Sequence, residues 1–267
     1  MDRNEIAERL ASIARSPEAS MTEQIRALSH LADMEKVRTQ PKEEGRASGP
    51  MAAQTPEDAA WVAAATRDTF TWVTEHTMTF NPHWKKEGRP VPNEKFPPYD
   101  YFRELFAALE AEQIVWIEKS RDLMVSWACV AYLTLNAMKV PYQEILLQTQ
   151  KDDKVIQLVD YAKCLYKMQD PRLIRAFPLA KDINRQPDHS LAFANGSIIQ
   201  GIPGGADQIR SYHPWGYLND ESSFQADAGE CYNEAISAVA GKIIFNSSAG
   251  PGWYADARRD IIRNDES

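Results

Sequence analysis

From residue 113 onward the sequence alternates short apolar runs with longer amphipathic stretches, and no other feature constrains its folding as strongly. QIVWIE, EILLQTQ, WGYLND and KIIFNSSA read as strands. SWACVAYLTLNAM, KDDKVIQLVDYAKCLYKM and AGECYNEAISAVA read as helices, and the tail after them is helical. Strands separated by helices of this length predict a mainly parallel sheet covered by helices on both faces, an α/β fold. SLAFANGSIIQGI interrupts the pattern and reads as a hairpin turning at Asn195-Gly196. In sheets of this kind ligands bind where strands end and helices begin.

Ahead of this region two short amphipathic helices are predicted within residues 1–38, from Ile6, Leu10 and Ile13 and from Ile25, Leu28 and Leu31. A linker rich in Pro, Gly, Ser and charge follows. Thr55-Pro56-Glu57-Asp58 reads as a helix start, with Thr55 as N-cap, leading into one helix through AAWVAAATRDTFTWVTEH. The polar stretch NPHWKKEGRPVPNEKFPP reads as a loop, and YDYFRELFAALEAE as the next helix. The domain division is therefore a helical arm with linker at 1–55 and one α/β domain at 56–267.

A formal net charge of -8 argues against a surface that grips nucleic acid all round, and leaves room for a local basic face. Candidates for such a face are HWKKEGR at 83–89 and Arg258, Arg259 and Arg263, for each of which a solvated charged face is the plainer reading. Cys129, Cys164 and Cys231 stand apart with no CxxC spacing, which suggests neither a disulfide framework nor a zinc site and fits a reducing cytosol. No run of eighteen apolar residues occurs, and MDRNEIAERL does not resemble a secretory signal.

Three strand ends carry chemistry. After the first comes EKSRDLMVS, which lacks the glycines and lysine of the phosphate-binding pattern GxxxxGK[ST]. Backbone N–H groups of Met124, Val125 and Ser126 at a helix N-terminus nonetheless suit an anion. The Ser126 hydroxyl suits Mg²⁺, and Lys119 at the front of the loop, with Arg121 beside it, supplies positive charge. An ordinary strand-to-helix corner with solvated Lys119 and Arg121 accounts for the same residues. The second strand end is Asp220-Glu221, where one carboxylate can hold Mg²⁺ and the other can polarise an attacking water. Alternation along the strand would send the two acids opposite ways, and a charged strand end capping a helix is the plainer alternative. Asn219 is out of place in a buried strand. The third is Asn246-Ser247-Ser248, polar groups able to sense a terminal phosphate, or a simple strand end.

In their order and spacing these motifs resemble the ATPase domain of bacteriophage large terminase subunits, over residues 96–255. Against the family form SRQxGK[ST], residues 120–126 read SRDLMVS: Ser120, Arg121 and Ser126 match, while Met124 replaces glycine and Val125 replaces lysine. The resemblance implies a P-loop NTPase of the additional-catalytic-glutamate type, with ATP held by Lys119, Ser120, Arg121, Asp122, Leu123, Met124, Val125 and Ser126. It further implies Asp220 as the Walker B acid sharing Mg²⁺ with Ser126, Glu221 as catalytic acid, and Ser247, Ser248 and Ala249 as a coupling motif. The coupling strand is expected between the phosphate-loop and Walker B strands, which would bring Ser247 and Ser248 beside the γ-phosphate. FPPYDYF at 96–102 falls where the family contacts adenine, making Pro98, Tyr99 and Tyr101 candidates, although aromatics at such spacing also fill cores. Arg210 falls where the family has an arginine finger, a role that a surface salt bridge would equally explain.

By that resemblance the expected function is MgATP-driven translocation of double-stranded DNA into a procapsid. The partners would be a portal protein, a small terminase subunit and further copies in a ring, in the host cytoplasm. The RNase H-type nuclease that the family normally carries is not expected in this chain. Two other classes fit the residues: another DNA-dependent P-loop translocase or helicase, and a non-hydrolysing interaction module with a decayed loop.

Overall fold

The computed structural model describes Glu8, residues 55–81 and residues 83–265. Apart from Glu8, the expected N-terminal helices and the linker up to 54 lie outside the described residues.

Helix α1 (Pro56–Ala65) starts as the sequence predicts, with Thr55 Oγ1 accepting from the Asp58 N–H at 3.1 Å. The single helix expected to follow is two, because Asp68 starts a second one, α2 (Thr69–Glu75), by accepting the Thr71 N–H at 2.7 Å. A capping carboxylate inside an apolar periodic stretch divides the helix there. The stretch read as a loop contains a small ribbon, β1 (Thr79–Phe80) paired antiparallel with β2 (Asn93–Glu94). Helix α3 (Asp100–Ala111) leads into the main sheet.

That sheet follows the predicted alternation: β3 (Ile114–Lys119), α4 (Val125–Lys139), β4 (Glu144–Gln148), α5 (Asp152–Lys167), a short α6 (Pro171–Ala176) that the sequence reading missed, β5 (Ser190–Ala192), β6 (Ile198–Ile202), β7 (Gly216–Asp220), α7 (Ala228–Ala238), β8 (Lys242–Ser248) and α8 (Trp253–Asp265). Strand order is β3-β8-β7-β4-β6-β5, parallel throughout except for β5, which pairs antiparallel with β6. The hairpin turns at Gly196, whose φ of 87° lies where glycine is favoured. As the resemblance implied, β8 lies between β3 and β7.

Alternation along the strands divides the core into two layers. Ile145, Leu147, Leu218 and Ile244 join α4 and α5 on one face, while Leu146, Tyr217, Ile243 and Phe245 join Cys231 of α7 and Tyr254 of α8 on the other. Helix α4 is buried almost all round, since it packs on the sheet and also against α2, α3 and α5. Gly216 gives it room, since a Cβ there would stand 3.1 Å from a Leu133 methyl. Cys129, Cys164 and Cys231 are free and buried. Among the described residues no helix is long and apolar enough to cross a membrane.

Candidate functional site

The parallel register aligns the three chemically distinctive strand ends. Lys119 lies opposite Ser248 on β8, and Asp220 opposite Asn246. Above this edge opens a cleft of about 1390 Å³ lined by Lys119, residues 121–127, Glu221 and Ser248, somewhat larger than the usual small-molecule site.

The loop between β3 and α4 does without glycine at a conformational cost. Asp122 (φ 63°) and Met124 (φ 54°) both occupy the left-handed region, which disfavours side chains by roughly 1–2 kcal/mol per residue. Met124 does so at the N-cap of α4, so the chain turns sharply and the first N–H groups of the helix come free at the cleft. Val125, where the standard pattern has its lysine, lies in the apolar core. Lys119 instead brings a cation from the front of the loop, near enough that its charge acts on the Asp220 carboxyl. The Tyr101 hydroxyl donates to the Leu123 carbonyl at 3.0 Å and ties α3 to the loop.

Asp220 faces α4, on the same side of the sheet as Leu218. Its Oδ1 accepts from Ser126 Oγ at 3.0 Å and from Asn246 Nδ2, which also lies 3.3 Å from Ser126 Oγ. Burial holds the Asp220 carboxyl above the usual carboxylate range, and the negative charge of Glu221 adds to this. Lys119, Ser126 and Asn246 offset part of it. Asn246 Oδ1 is buried without a hydrogen-bond partner, which leaves one acceptor available at the centre of the site.

Glu221 breaks the expected alternation. In an extended strand it would point away from Asp220, but at φ 58°, ψ 38° it turns out of the strand and lines the cleft. Tyr161 of α5 stacks its ring on Trp127 of α4 at 3.9 Å between centroids. Burial raises the Tyr161 phenol, and the negative charges of Asp220 and Glu221 raise it further.

Other predicted residues fare differently. Arg121, Asp122, Leu123, Tyr99 and Tyr101 line the cleft, the two tyrosine rings stacking at 5.5 Å and 25°. Ser120 and Pro98 are exposed and do not line it; Pro97 takes the place expected of Pro98. Ser247 is wholly buried and turned inward, accepting the Ser223 N–H at 3.0 Å and donating to the Ser248 carbonyl at 2.9 Å, so only Ser248 faces the cleft. Ala249 is exposed outside the lining. Arg210 is also outside it, paired with Glu234 at 2.6 Å and Asp207 at 2.8 Å.

Of the candidate basic face, His83 and Arg89 belong to the cleft wall, and Arg89 pairs with Glu87 and Glu94. Arg258 pairs with Glu118 at 2.7 Å and Arg259 with Asp256. The Arg263 side chain lies outside the described residues.

Sequence reasoning missed Tyr161, Trp127, Gln150, Phe224 and the β1–β2 wall. Gln150 was within reach, since it ends a predicted strand. Nothing local marks Tyr161, which packing brings in from a helix.

Among the described residues no group of three or more His, Cys, Asp or Glu could hold a metal ion. Ser126 and Asp220 offer hard oxygen donors of the kind Mg²⁺ takes when phosphate oxygens and water complete its shell. The residues thus fit a phosphate-bound Mg²⁺ better than a self-sufficient metal site.

No family model matches the chain, and no curated protein matches its sequence. Among solved structures it is similar to the large terminase of bacteriophage HK97, with a TM-score of 0.55 at 9% identity over 76% of this chain and 42% of that one. It is also similar to the large terminase ATPase domain of Thermus phage P74-26, with a TM-score of 0.39 at 14% identity over 61% of this chain and 74% of that one. At such identities the likeness to the HK97 protein is one of fold, in agreement with the predicted α/β fold with a mainly parallel sheet flanked by helices. The chain spans 42% of the length of that protein.

Proposed function

We propose that this chain is the ATPase motor domain of a DNA-packaging terminase, coupling MgATP hydrolysis to translocation of double-stranded DNA. The observation that carries the reading is the convergence of Lys119 from β3, Ser126 from α4, Glu221 after β7 and Ser248 from β8 on one cleft, with Asp220 bonded to Ser126 at its floor. A cation, free helix N–H groups, hard oxygen donors and a carboxylate free of the strand's alternation are together the parts that phosphoryl transfer needs.

In this reading Lys119, Arg121 and the N–H groups at the start of α4 bind the phosphates, and Ser126 and Asp220 hold Mg²⁺. When bound, Mg²⁺ supplies positive charge to the phosphate oxygens where negative charge develops. Glu221 orients the attacking water and accepts its proton. Ser248 senses the terminal phosphate, and Ser247, bonded to Ser223, passes that state to the turn after β7. Tyr99 and Tyr101 flank the base. Arg210, held by Glu234 away from its own cleft, suits a finger offered to a neighbouring copy in a ring. Portal protein, small terminase subunit and a procapsid in the host cytoplasm follow as partners and setting.

Glu221→Gln tests the reading. Hydrolysis should fall by roughly 10²- to 10⁴-fold while MgATP still raises the melting temperature as it does for the unaltered chain. Undiminished hydrolysis would reject the role of Glu221. No thermal response to saturating MgATP in the unaltered chain would favour the non-hydrolysing interaction module. Strand separation on a forked duplex would favour a helicase.

A further inference from the structure

Asn219 sits on β7 with no exposure, on the face opposite Asp220, where neighbouring strand positions carry Tyr217 and Phe245. An amide there needs partners, and it has them on every side. Its Nδ2 donates to the Tyr217 hydroxyl at 2.8 Å and lies 3.3 Å from Gln225 Oε1. Its Oδ1 accepts from Ser222 Oγ at 2.7 Å and from Gln225 Nε2 at 2.8 Å. The Tyr217 hydroxyl in turn donates to Gln148 Oε1. None of these five buried side chains has an orphaned polar atom.

The reach of this network gives it meaning. Gln225 Nε2 also donates to the Asp220 carbonyl at 2.8 Å, and Ser222 Oγ, bonded to Asn219 Oδ1, lies 3.0 Å from the Asn219 carbonyl as well. The backbone is therefore fastened immediately before Glu221 and immediately after it. Glu221 itself holds a left-handed conformation that a glutamate seldom adopts. At the far end Gln148 Nε2 donates to the carbonyls of Pro203 and Gly205, at 2.7 and 3.0 Å. These residues lead into the short helical turn Ala206–Ser211, which carries Arg210.

We infer that Asn219 is a positioning residue for Glu221: its buried amide network holds the acid turn in the left-handed conformation that aims the carboxylate into the cleft, and joins that turn rigidly to the 203–205 segment ahead of Arg210. The inference rests on the reading of Glu221 as the catalytic acid. Asn219 lies outside the cleft lining, on the opposite face of the sheet, and acts only through that residue.

The test uses the full 267-residue chain with Asn219→Leu, which keeps the volume and removes the amide. In single-turnover ATP hydrolysis with duplex DNA present, the rate should drop about 10²-fold, the scale of a roughly 1 Å misplacement of a reacting group. Affinity for a non-hydrolysable ATP analogue should stay within about twofold. In the Glu221→Gln background Asn219→Leu should lower the residual rate no further, since both changes remove the same contribution.

Backbone hydrogen exchange of the ligand-free protein supplies a second readout, with faster exchange expected at both 220–225 and 203–205. If Asn219→Leu does not fold, Gln225→Ala, at the edge of the network, is put through the same measurements. An unaltered rate with unaltered exchange overturns the inference, and so does loss of analogue binding together with rate, which would make the role merely structural. Should Glu221→Gln hydrolyse as fast as the unaltered chain, the reading of the site fails instead, which separates the two failures.

Discussion

Ser126 Oγ donates to Asp220 Oδ1 across 3.0 Å, although 94 residues separate them in the chain. The bond spans from the first turn of α4 to the end of β7, reaching across β8, which lies between β3 and β7. Both oxygens are available to one cation, and Asn246 Nδ2 holds Asp220 in place from the third element.

Ser126→Ala removes one of the two donors without disturbing the core. MgATP affinity should fall by roughly 10- to 100-fold, the equivalent of about 1.5–3 kcal/mol for a bond to a charged group. Binding of ATP in excess chelator should be unchanged. Equal losses with and without Mg²⁺ would show that the hydroxyl serves the phosphates or the fold.

Lys119 is the one cation at the carboxyl end of β3, opposite Ser248. Lys119→Ala should weaken ATP binding by about 10-fold or more, since a charge-assisted phosphate contact is lost. Val125→Lys in that background should not restore it, because position 125 points into the core. Retained affinity in Lys119→Ala, by calorimetric titration, would defeat the claim that the loop carries its lysine at the front.

Met124 spends conformational energy that glycine would not. Met124→Gly should relieve roughly 1–2 kcal/mol of left-handed strain, offsetting much of the packing lost with the side chain. Met124→Val, β-branched at positive φ, should be the more destabilising change. Urea denaturation compares them, and a glycine variant less stable than the valine one would mean that side-chain packing governs the position.

Asp68 gives the break between α1 and α2 a pH signature. Burial pushes its carboxyl up, but bonds from the Thr71 N–H and hydroxyl and the charge of Arg67 outweigh this and hold it below its ordinary 3.8. A depressed folded value contributes stability above the unfolded value and loses it as pH falls through the folded one. Asp68→Ala should therefore cost about 1 kcal/mol at neutral pH, and the gap to the unaltered chain should close as pH falls below 3.8. A gap constant with pH would locate the cost in packing.

Hydrophobic periodicity belongs to near neighbours in the chain, so the sequence by itself determined the alternation of strands and helices, the hairpin at Gly196 and the sheet edge that carries the candidate site. The order of motifs along the chain also indicated Lys119, Ser126, Asp220, Glu221 and Ser248, because Lys119, Asp220 and Ser248 end strands, Glu221 directly follows one, and Ser126 opens the helix after β3. Tertiary structure alone decided which way these and their neighbours turn. Ser247 points inward to Ser223, and Arg210 is drawn to Glu234. Asn219, out of place as an isolated strand residue, becomes intelligible only beside Gln148, Tyr217 and Gln225. Hydrogen-bond partners are fixed by the register and packing of elements far apart in sequence, and a local pattern carries no record of them.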